Sequence, residues 1–420
     1  MLCVQANRPH VSFHTPGHKQ KGWDITELSY SDNLSCPRGC IAEAERDISK
    51  ILGAARSFLL TDGSTSGVFS ILHAARACGV KTVAFCEAAH KSVYNACSLL
   101  GLSPLIYPQK TQENIPFAYT MGELKEKFGG ILSEADALLL TVPDYYGNIP
   151  NLSEIRAYCD ENNKLLLIDG AHGGHLHFEK EKYAGAFADF WVDGVHKSLP
   201  ALTQGAVCSA RTEALAEKLS AAVDVFRTTS PSYPIMASVE YAVKYPRNEA
   251  AEQFVYALVK EQERIFVKED WTKLCARFGK NAFEAEKDLE EQGIYSEFCD
   301  GNVIMFYLSP LSSKKQLVKL KKALLALFEK YPYIPLETSV HQTPAPIVLS
   351  GGDEVEWLDM SKCVGKVSAG MCGLFPPCTP LFRSGDKITE EKLRLLKEAT
   401  NVFGMKEGKL AVYVDTEKDK

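Results

Sequence analysis

Two short stretches of this sequence combine residue types that can do covalent chemistry. Leu165-Leu166-Leu167-Ile168-Asp169-Gly170-Ala171-His172 is an apolar, strand-like run that ends in an aspartate. Phe190-Trp191-Val192 leads through Asp193-Gly194-Val195 to His196-Lys197-Ser198-Leu199-Pro200. A lysine amine has a pKa of roughly 10.4, but burial or a neighbouring imidazole can lower it enough for the amine to attack an aldehyde. An aspartate at a strand end can keep a pyridine nitrogen protonated, which preserves the ring as an electron sink. Lys197 and Asp169 are thus the minimal apparatus for holding an aldehyde cofactor, pyridoxal 5'-phosphate (PLP), as a Schiff base.

Such a cofactor also needs an anion site and a ring contact. Asp62-Gly63-Ser64-Thr65-Ser66-Gly67 lies between a predicted strand and a predicted helix. Its small residues let N–H groups and hydroxyls surround a phosphate at a positive helix N-terminus. The same residues also read as a plain capped turn, and they match neither a P-loop nor a GxGxxG fingerprint. His90, in Ala88-Ala89-His90-Lys91-Ser92, is placed to lie flat against a ring, with a purely structural loop histidine as the alternative. His172, His175 and His177 form an HxxHxH with Asp169 close by, which raises a metal site as a rival. Gly173-Gly174 between the first two denies them the one-face geometry of a helical metal pair, and no metal is expected.

The elements that must position these residues alternate from about residue 40 to 210. Ile41, Ala44, Ile48, Ile51 and Leu52 recur at helical spacing and stop at Gly53, a predicted C-cap. A second helix is predicted over 68–78. Short apolar runs at 57–61, 82–86, 138–142, 165–168, 190–192 and 206–209 read as strands buried on both faces of a largely parallel sheet. This is an α/β domain of doubly wound type, with ligands at the carboxyl ends of its strands. After about residue 235 the texture changes. Residues 248–290 read as charged and helical with little strand signal, 303–308 as a strand and 312–330 as a lysine-rich amphipathic helix. The expected division is 1–245 for the N-terminal segment and large domain and 246–420 for a smaller C-terminal domain.

Composition removes several classes of function. A chain of 420 residues with 45% apolar and 24% charged residues is an ordinary globular protein. A net charge of −6 gives no electrostatic case for nucleic acid or an anionic membrane surface. No window approaches 18 apolar residues and the first ten residues lack a signal-peptide core, so a cytoplasmic location is expected. Thirteen scattered cysteines, only Cys36 and Cys40 close together, fit reduced thiols.

Taken in order, these stretches resemble the fold type I PLP enzymes, and more narrowly the ornithine/lysine/arginine decarboxylase family. Further matching pieces are Phe13-His14-Thr15-Pro16-Gly17-His18-Lys19, Asp24-Ile25-Thr26-Glu27, Ile41-Ala42-Glu43-Ala44-Glu45 and Thr229-Ser230-Pro231-Ser232-Tyr233-Pro234. The resemblance is dense over residues 11–245 and thin beyond. It implies an aminotransferase-like large domain with a mostly parallel seven-stranded sheet and a smaller α+β C-terminal domain. It also implies PLP on Lys197, with Asp169 at the pyridinium and His90 on the ring. Ser64, Thr65 and His196 would hold the phosphate, His172 would stand beside the imine, and Ser230 would reach the partner subunit's phosphate. The implied activity is decarboxylation of arginine, lysine or ornithine to the amine and CO2. Family members are homodimers or larger, with active sites at the subunit interface, and this chain resembles a short form of the family.

Departures from the pattern bear on cofactor and substrate. Gly194 stands where the family usually has serine, and Asp144 where threonine is common. The late motif reads Pro376-Pro377-Cys378-Thr379-Pro380, and Arg383 occupies a usually apolar position. Arg383 motivates an aminotransferase as the rival reading, because an arginine could clamp the α-carboxylate. Gly194 and Asp144 motivate a PLP-binding homologue with lost or altered turnover. Asp353, Glu354 and Glu356 are acidic candidates for the distal cation of a basic substrate, with a solvated surface as the alternative.

Overall fold

The computed structural model describes residues 11, 13–19, 24–28, 30–336, 354–375, 378–399 and 401–414. In chain order the first part comprises α1 (Cys40–Leu52), β1 (Arg56–Leu60), α2 (Gly63–Ala77), β2 (Thr82–Cys86), α3 (Lys91–Leu100) and β3 (Ser103–Tyr107). A hairpin of β4 (Lys110–Gln112) and β5 (Ile115–Phe117) follows, then α4 (Met121–Glu134), β6 (Ala137–Thr141), α5 (Leu152–Glu161) and β7 (Leu165–Gly170). It ends with β8 (Phe190–Asp193), α6 (Val195–Ser198), β9 (Ala206–Ala210), α7 (Glu213–Phe226) and α8 (Tyr233–Val243).

Seven of these strands form one sheet in the order β1-β9-β8-β7-β6-β2-β3. Only β9 runs against its neighbours; the other pairings are parallel. Strand alternation buries both faces. Phe85, Leu139, Leu167, Phe190 and Val192 pack under α2, α3 and α7, whereas Leu138, Leu140, Leu166, Ile168 and Trp191 pack on α4 and α5. Leu59 and Val207 complete the second face under α1 and α8.

The six strand expectations and the Gly53 C-cap, at φ 70°, hold to within about two residues. The sequence reading lacks β3, whose Pro104 and partly exposed side chains suit a strand paired only with β2 at the sheet edge. At the opposite edge, α1 covers β1. The Ser57 N–H donates to Ser49 Oγ (2.8 Å) and the Leu59 N–H to Glu45 Oε1 (3.0 Å). The helix expected from residue 68 starts at Gly63 instead, so the Ser64-Thr65 turn is the helix's own N-terminus. Gly67 lets this helix lie close on the sheet, because an added Cβ would overlap Val192 Cγ2.

The second part comprises α9 (Glu249–Glu261), β10 (Ile265–Phe266), β11 (Lys273–Arg277), α10 (Ala282–Glu291), β12 (Phe298–Cys299), β13 (Val303–Tyr307) and α11 (Lys314–Lys330). Its antiparallel sheet, β10-β11-β13-β12, packs Leu274, Ala276, Ile304 and Phe306 against Val255, Leu289 and Leu324. The expectation that residues 248–290 are essentially helical is therefore corrected, since β11 is a central strand of this sheet. The signal misled because Lys273 and Asp270 look like solvated charges but are fully buried, 3.0 Å apart.

A third set comprises β14 (Val355–Asp359), β15 (Cys372–Leu374), β16 (Pro380–Phe382), α12 (Glu390–Glu398), β17 (Val402–Phe403) and β18 (Lys409–Tyr413). These elements enclose their own small core around Cys363, Phe382, Leu393, Leu396 and Leu410. Asp353, Pro376 and Pro377 lie outside the described residues.

Candidate active site

The carboxyl ends of parallel strands are where ligands bind in such sheets, and the chemically capable residues converge there. Ser64 and Thr65 follow β1, His90 follows β2, Asp169 is the penultimate residue of β7, and Lys197 lies on α6 just after β8. With His172 and His196 they line one cavity of about 880 Å³. Leu374, Thr379 to Leu381, Glu391 and Arg394 of the third set reach the same cavity, as do Phe283 and Asp300 of the second.

The imidazole that meets the Lys197 amine is His172, with Nε2 3.2 Å from Nζ. His196, next to the lysine in sequence, is anchored instead, its ring Nδ1 on the Gly205 carbonyl (2.9 Å). His172 is held between two aromatic rings. Tyr145 meets it edge-on (4.9 Å, 68°) and Tyr307 stacks on it (5.5 Å, 18°), donating its hydroxyl to the His172 carbonyl at 3.2 Å. His172 Nδ1 is buried with no partner among the described residues.

The other contacts are also set locally. His90 caps α3, its Nδ1 accepting from the Ser92 N–H (3.2 Å) and lying 2.8 Å from Ser92 Oγ, which fixes the ring. Asp62 is the N-cap residue of α2, yet its side chain turns away to accept the Thr228 N–H at 3.1 Å. The Gly63 N–H donates to the Gln204 carbonyl (2.8 Å), and the next first-turn N–H groups, at Ser64 and Thr65, are left for an anion. Asp169 is 2% exposed and accepts the Ala171 N–H at 3.1 Å.

Burial governs the charges. It lowers the Lys197 pKa, against the pull of Asp169, Glu297 and Cys378. It raises the Asp169 pKa, against the Lys197 cation and the Ala171 N–H. It drives His172 well below the usual imidazole value, with Lys197 and Lys273 pushing the same way, and brings His90 down to about 4. Both imidazoles are therefore neutral near pH 7, and the amine is a better nucleophile than a solvated lysine.

The three histidines of the HxxHxH run have separate partners: His172 lies at Lys197, His175 Nε2 at Asp270 Oδ1 (2.9 Å) and His177 Nδ1 at the Gly174 carbonyl (2.7 Å). Among the described residues no group of three His, Cys, Asp or Glu side chains is arranged to hold a metal. Ser230 is exposed and outside the cavity lining, in the same segment as Thr228. Tyr145, Tyr307, Lys273 and Glu297 were not foreseen. They come from the 144–148 turn and the second sheet, whose sequences carry only ordinary aromatic and charged residues.

A family model described as the Orn/Lys/Arg decarboxylase major domain matches residues 21–274, more than half of the chain. The chain belongs to the Orn/Lys/Arg decarboxylase family. Among its curated relatives is the uncharacterized protein YaaO of Bacillus subtilis, 28% identical, with 99% of this chain and 98% of the relative covered. Another is the arginine decarboxylase of Halalkalibacterium halodurans, 25% identical over 94% of this chain and 92% of the relative. The fold is similar to that of the lysine decarboxylase of Francisella novicida, with a TM-score of 0.77 at 18% identity, covering 99% of this chain and 80% of that one. The chain is an amino acid decarboxylase of the fold type I architecture.

The residues of this decarboxylase fit PLP. A buried carboxylate faces the cavity without a cation of its own strand, a buried imidazole nitrogen lacks a partner, and a helix N-terminus is left uncapped by its own aspartate. The departures from the family pattern have structural explanations. At Gly194 an added Cβ would drive into the Ala171 carbonyl oxygen, so the 170–174 loop takes the space a serine would fill. Asp144 Oδ1 accepts the N–H groups of Tyr146 and Asn148 (both 2.9 Å), and Oδ2 accepts from Asn148 Nδ2 (2.7 Å). Burial raises its pKa to about 6, and its role is to fold the turn that carries Tyr145. Arg383 is 5% exposed, grips Asp386 through Nε and Nη2 (2.9 and 3.0 Å) and does not line the cavity. Cys378 is buried with φ 61°, and its carbonyl accepts the Lys91 N–H at 3.0 Å. Among the described residues no helix is long and apolar enough to cross a membrane.

Proposed function

We propose that this chain decarboxylates a basic amino acid, arginine, lysine or ornithine, to the corresponding amine and CO2, with PLP as cofactor. The observation that carries the reading is the Lys197 amine 3.2 Å from a neutral His172, in a cavity that also holds the buried Asp169. Lys197 would hold the cofactor, Asp169 its pyridine nitrogen, His90 its ring, and Ser64, Thr65, His196 and the α2 N-terminus its phosphate. PLP, when bound, supplies an electron sink for the pair left by departing CO2.

The chain's own residues then have defined tasks. Asp169 stays ionised when it faces a cation, because the cation offsets its burial. Leu139, Leu140, Phe117 and Tyr119 make part of the cavity wall apolar, which favours loss of a carboxylate over its retention. Lys197 Nζ and His172 Nε2 are close enough to share a proton and return it to Cα, a step worth on the order of 10²–10⁴-fold. Glu354 and Glu356, read from the sequence as candidates for the distal cation, do not line the cavity; acids that do line it include Asp144, Asp300 and Glu391, which the sequence reading did not offer for that role.

The aminotransferase reading is less well supported, because Arg383 is committed to Asp386 and Arg394, the one arginine among the described residues that lines the cavity, is exposed on α12. The test is to incubate the PLP-loaded protein separately with arginine, lysine and ornithine and to measure CO2, amine and keto-acid. Amine and CO2 in equal amounts from one of the three are expected. Keto-acid without CO2 would overturn the reading. Lys197→Ala should remove the visible absorbance of bound cofactor and lower CO2 release by at least about 10²-fold.

A further inference from the structure

Asp270 and Lys273 are fully buried and form an ion pair of 3.0 Å, outside the sheet that carries the cofactor residues. A buried pair commonly loses in desolvation what it gains in attraction, so stability alone is a weak reason for it. The register of the second sheet supplies another. Lys273 opens β11, Tyr307 closes β13, and the two are direct partners in the ladder, so their side chains share a face. Lys273 Nζ lies 3.5 Å from the centre of the Tyr307 ring, and that ring stacks on His172.

Asp270 ties the same cluster from behind. Its Oδ2 holds Lys273, and its Oδ1 binds His175 Nε2 (2.9 Å), three residues beyond His172. Its N–H donates to the Gly147 carbonyl (3.0 Å), in the turn that carries Tyr145. Gly147 has φ 87°, and a Cβ there would come within 3.1 Å of both the Asp270 carbonyl and the Lys273 stem. Both segments that flank the His172 ring are thus fastened to one ion pair.

We propose that Lys273 is a positioning residue for the reaction: paired with Asp270 and seated on Tyr307, it locks the His172 imidazole against the Lys197 amine. This rests on the reading of Lys197 and His172 as the pair that works on the cofactor. The charged and titratable groups around His172 are Lys197 on α6, His90 before α3, Tyr145 with its hydroxyl on Glu297 (2.6 Å), Tyr307 on β13, Lys273 on β11 and Asp270 before it. Removing the Lys273 cation while Asp270 remains lets both His172 and the amine site take up a proton at higher pH.

The test uses the PLP-loaded protein with Lys273→Met and Tyr307→Leu, each alone and combined with His172→Asn. Each single change is expected to lower kcat on the order of tenfold with little change in KM, and to add almost no loss on top of His172→Asn. In Lys273→Met the pH midpoint of the bound cofactor's visible absorbance should move upward. An equal loss with and without His172, or an unmoved midpoint, would show that Lys273 only supports the fold. If Lys273→Met does not fold, Tyr307→Leu, which keeps the ion pair, decides through the same His172 comparison. Absence of CO2 from the unmodified protein would sink the proposed function but not this inference, which the absorbance titration still decides.

Discussion

At the scale of single residues, the site is built by taking titratable groups out of water. Burial lowers the His90 pKa to about 4, against an ordinary value of roughly 6.5. The unfolded chain therefore binds a proton between these values that the folded chain does not. The stability held by neutral His90 is complete above about pH 6.5 and is lost as pH falls toward 4. Chemical denaturation of the cofactor-free protein, compared with His90→Gln, should show the parent losing on the order of 1–3 kcal/mol more than the variant over that window. Equal losses in the two proteins would contradict the assignment. These residues were legible in the sequence because each follows a strand-like run, and strand ends are where a parallel sheet binds. Their partners were not. His172 meets Lys197 because the segments that follow the paired strands β7 and β8 lie side by side, and nothing in either segment announces Tyr307 or Lys273.

At the scale of elements, helix α2 and the 170–174 loop are held by close backbone approaches. Gly67 admits Val192 beneath α2, and Gly194 admits the Ala171 carbonyl above α6. The family resemblance marks Gly194 only as a departure from serine, whereas the structure makes it a packing requirement. Gly194→Ser should therefore not strengthen cofactor binding. It should displace the loop that carries His172, destabilise the protein by about 1–3 kcal/mol and weaken PLP affinity. Thermal denaturation and a PLP titration check this, and tighter binding in the variant would refute it. Doubly buried strands such as β6, β7 and β8 were readable from their apolar runs. The edge strand β3, with Pro104, and the internal strand β11, opened by a buried lysine, were not, because each breaks the pattern that defines its type.

At the scale of the whole molecule, the residues quoted for the family do not all meet in one chain. Phe13 is 96% exposed and Val11 82%, in the arm that carries Thr15-Pro16-Gly17-His18-Lys19, and Ser230 is exposed in the segment whose Thr228 N–H meets Asp62. Apolar groups so placed are expected to be covered by a second copy, in keeping with the oligomers that the resemblance implies. Sedimentation should give a dimer or larger assembly, shifted toward monomer by Phe13→Asp. Ser230→Ala should weaken PLP retention by about tenfold, the worth of one hydrogen bond to a charged group. A monomer with full PLP affinity would refute both. The third set of elements, whose boundaries were indistinct in the sequence, closes over the cavity with Thr379, Pro380 and Leu381.

The two margins of the seven-stranded sheet carry a consequence of their own. On β1 the outward N–H groups of Ser57 and Leu59 are taken by Ser49 and Glu45, and on β3 Pro104 has no N–H to offer. A strand from another molecule finds no free run of donors on either side. Strand addition to this sheet is therefore disfavoured at both of its margins, which guards it against seeding a fibre. Glu45→Ala would reopen one margin, and a rise in aggregation on heating would be its mark.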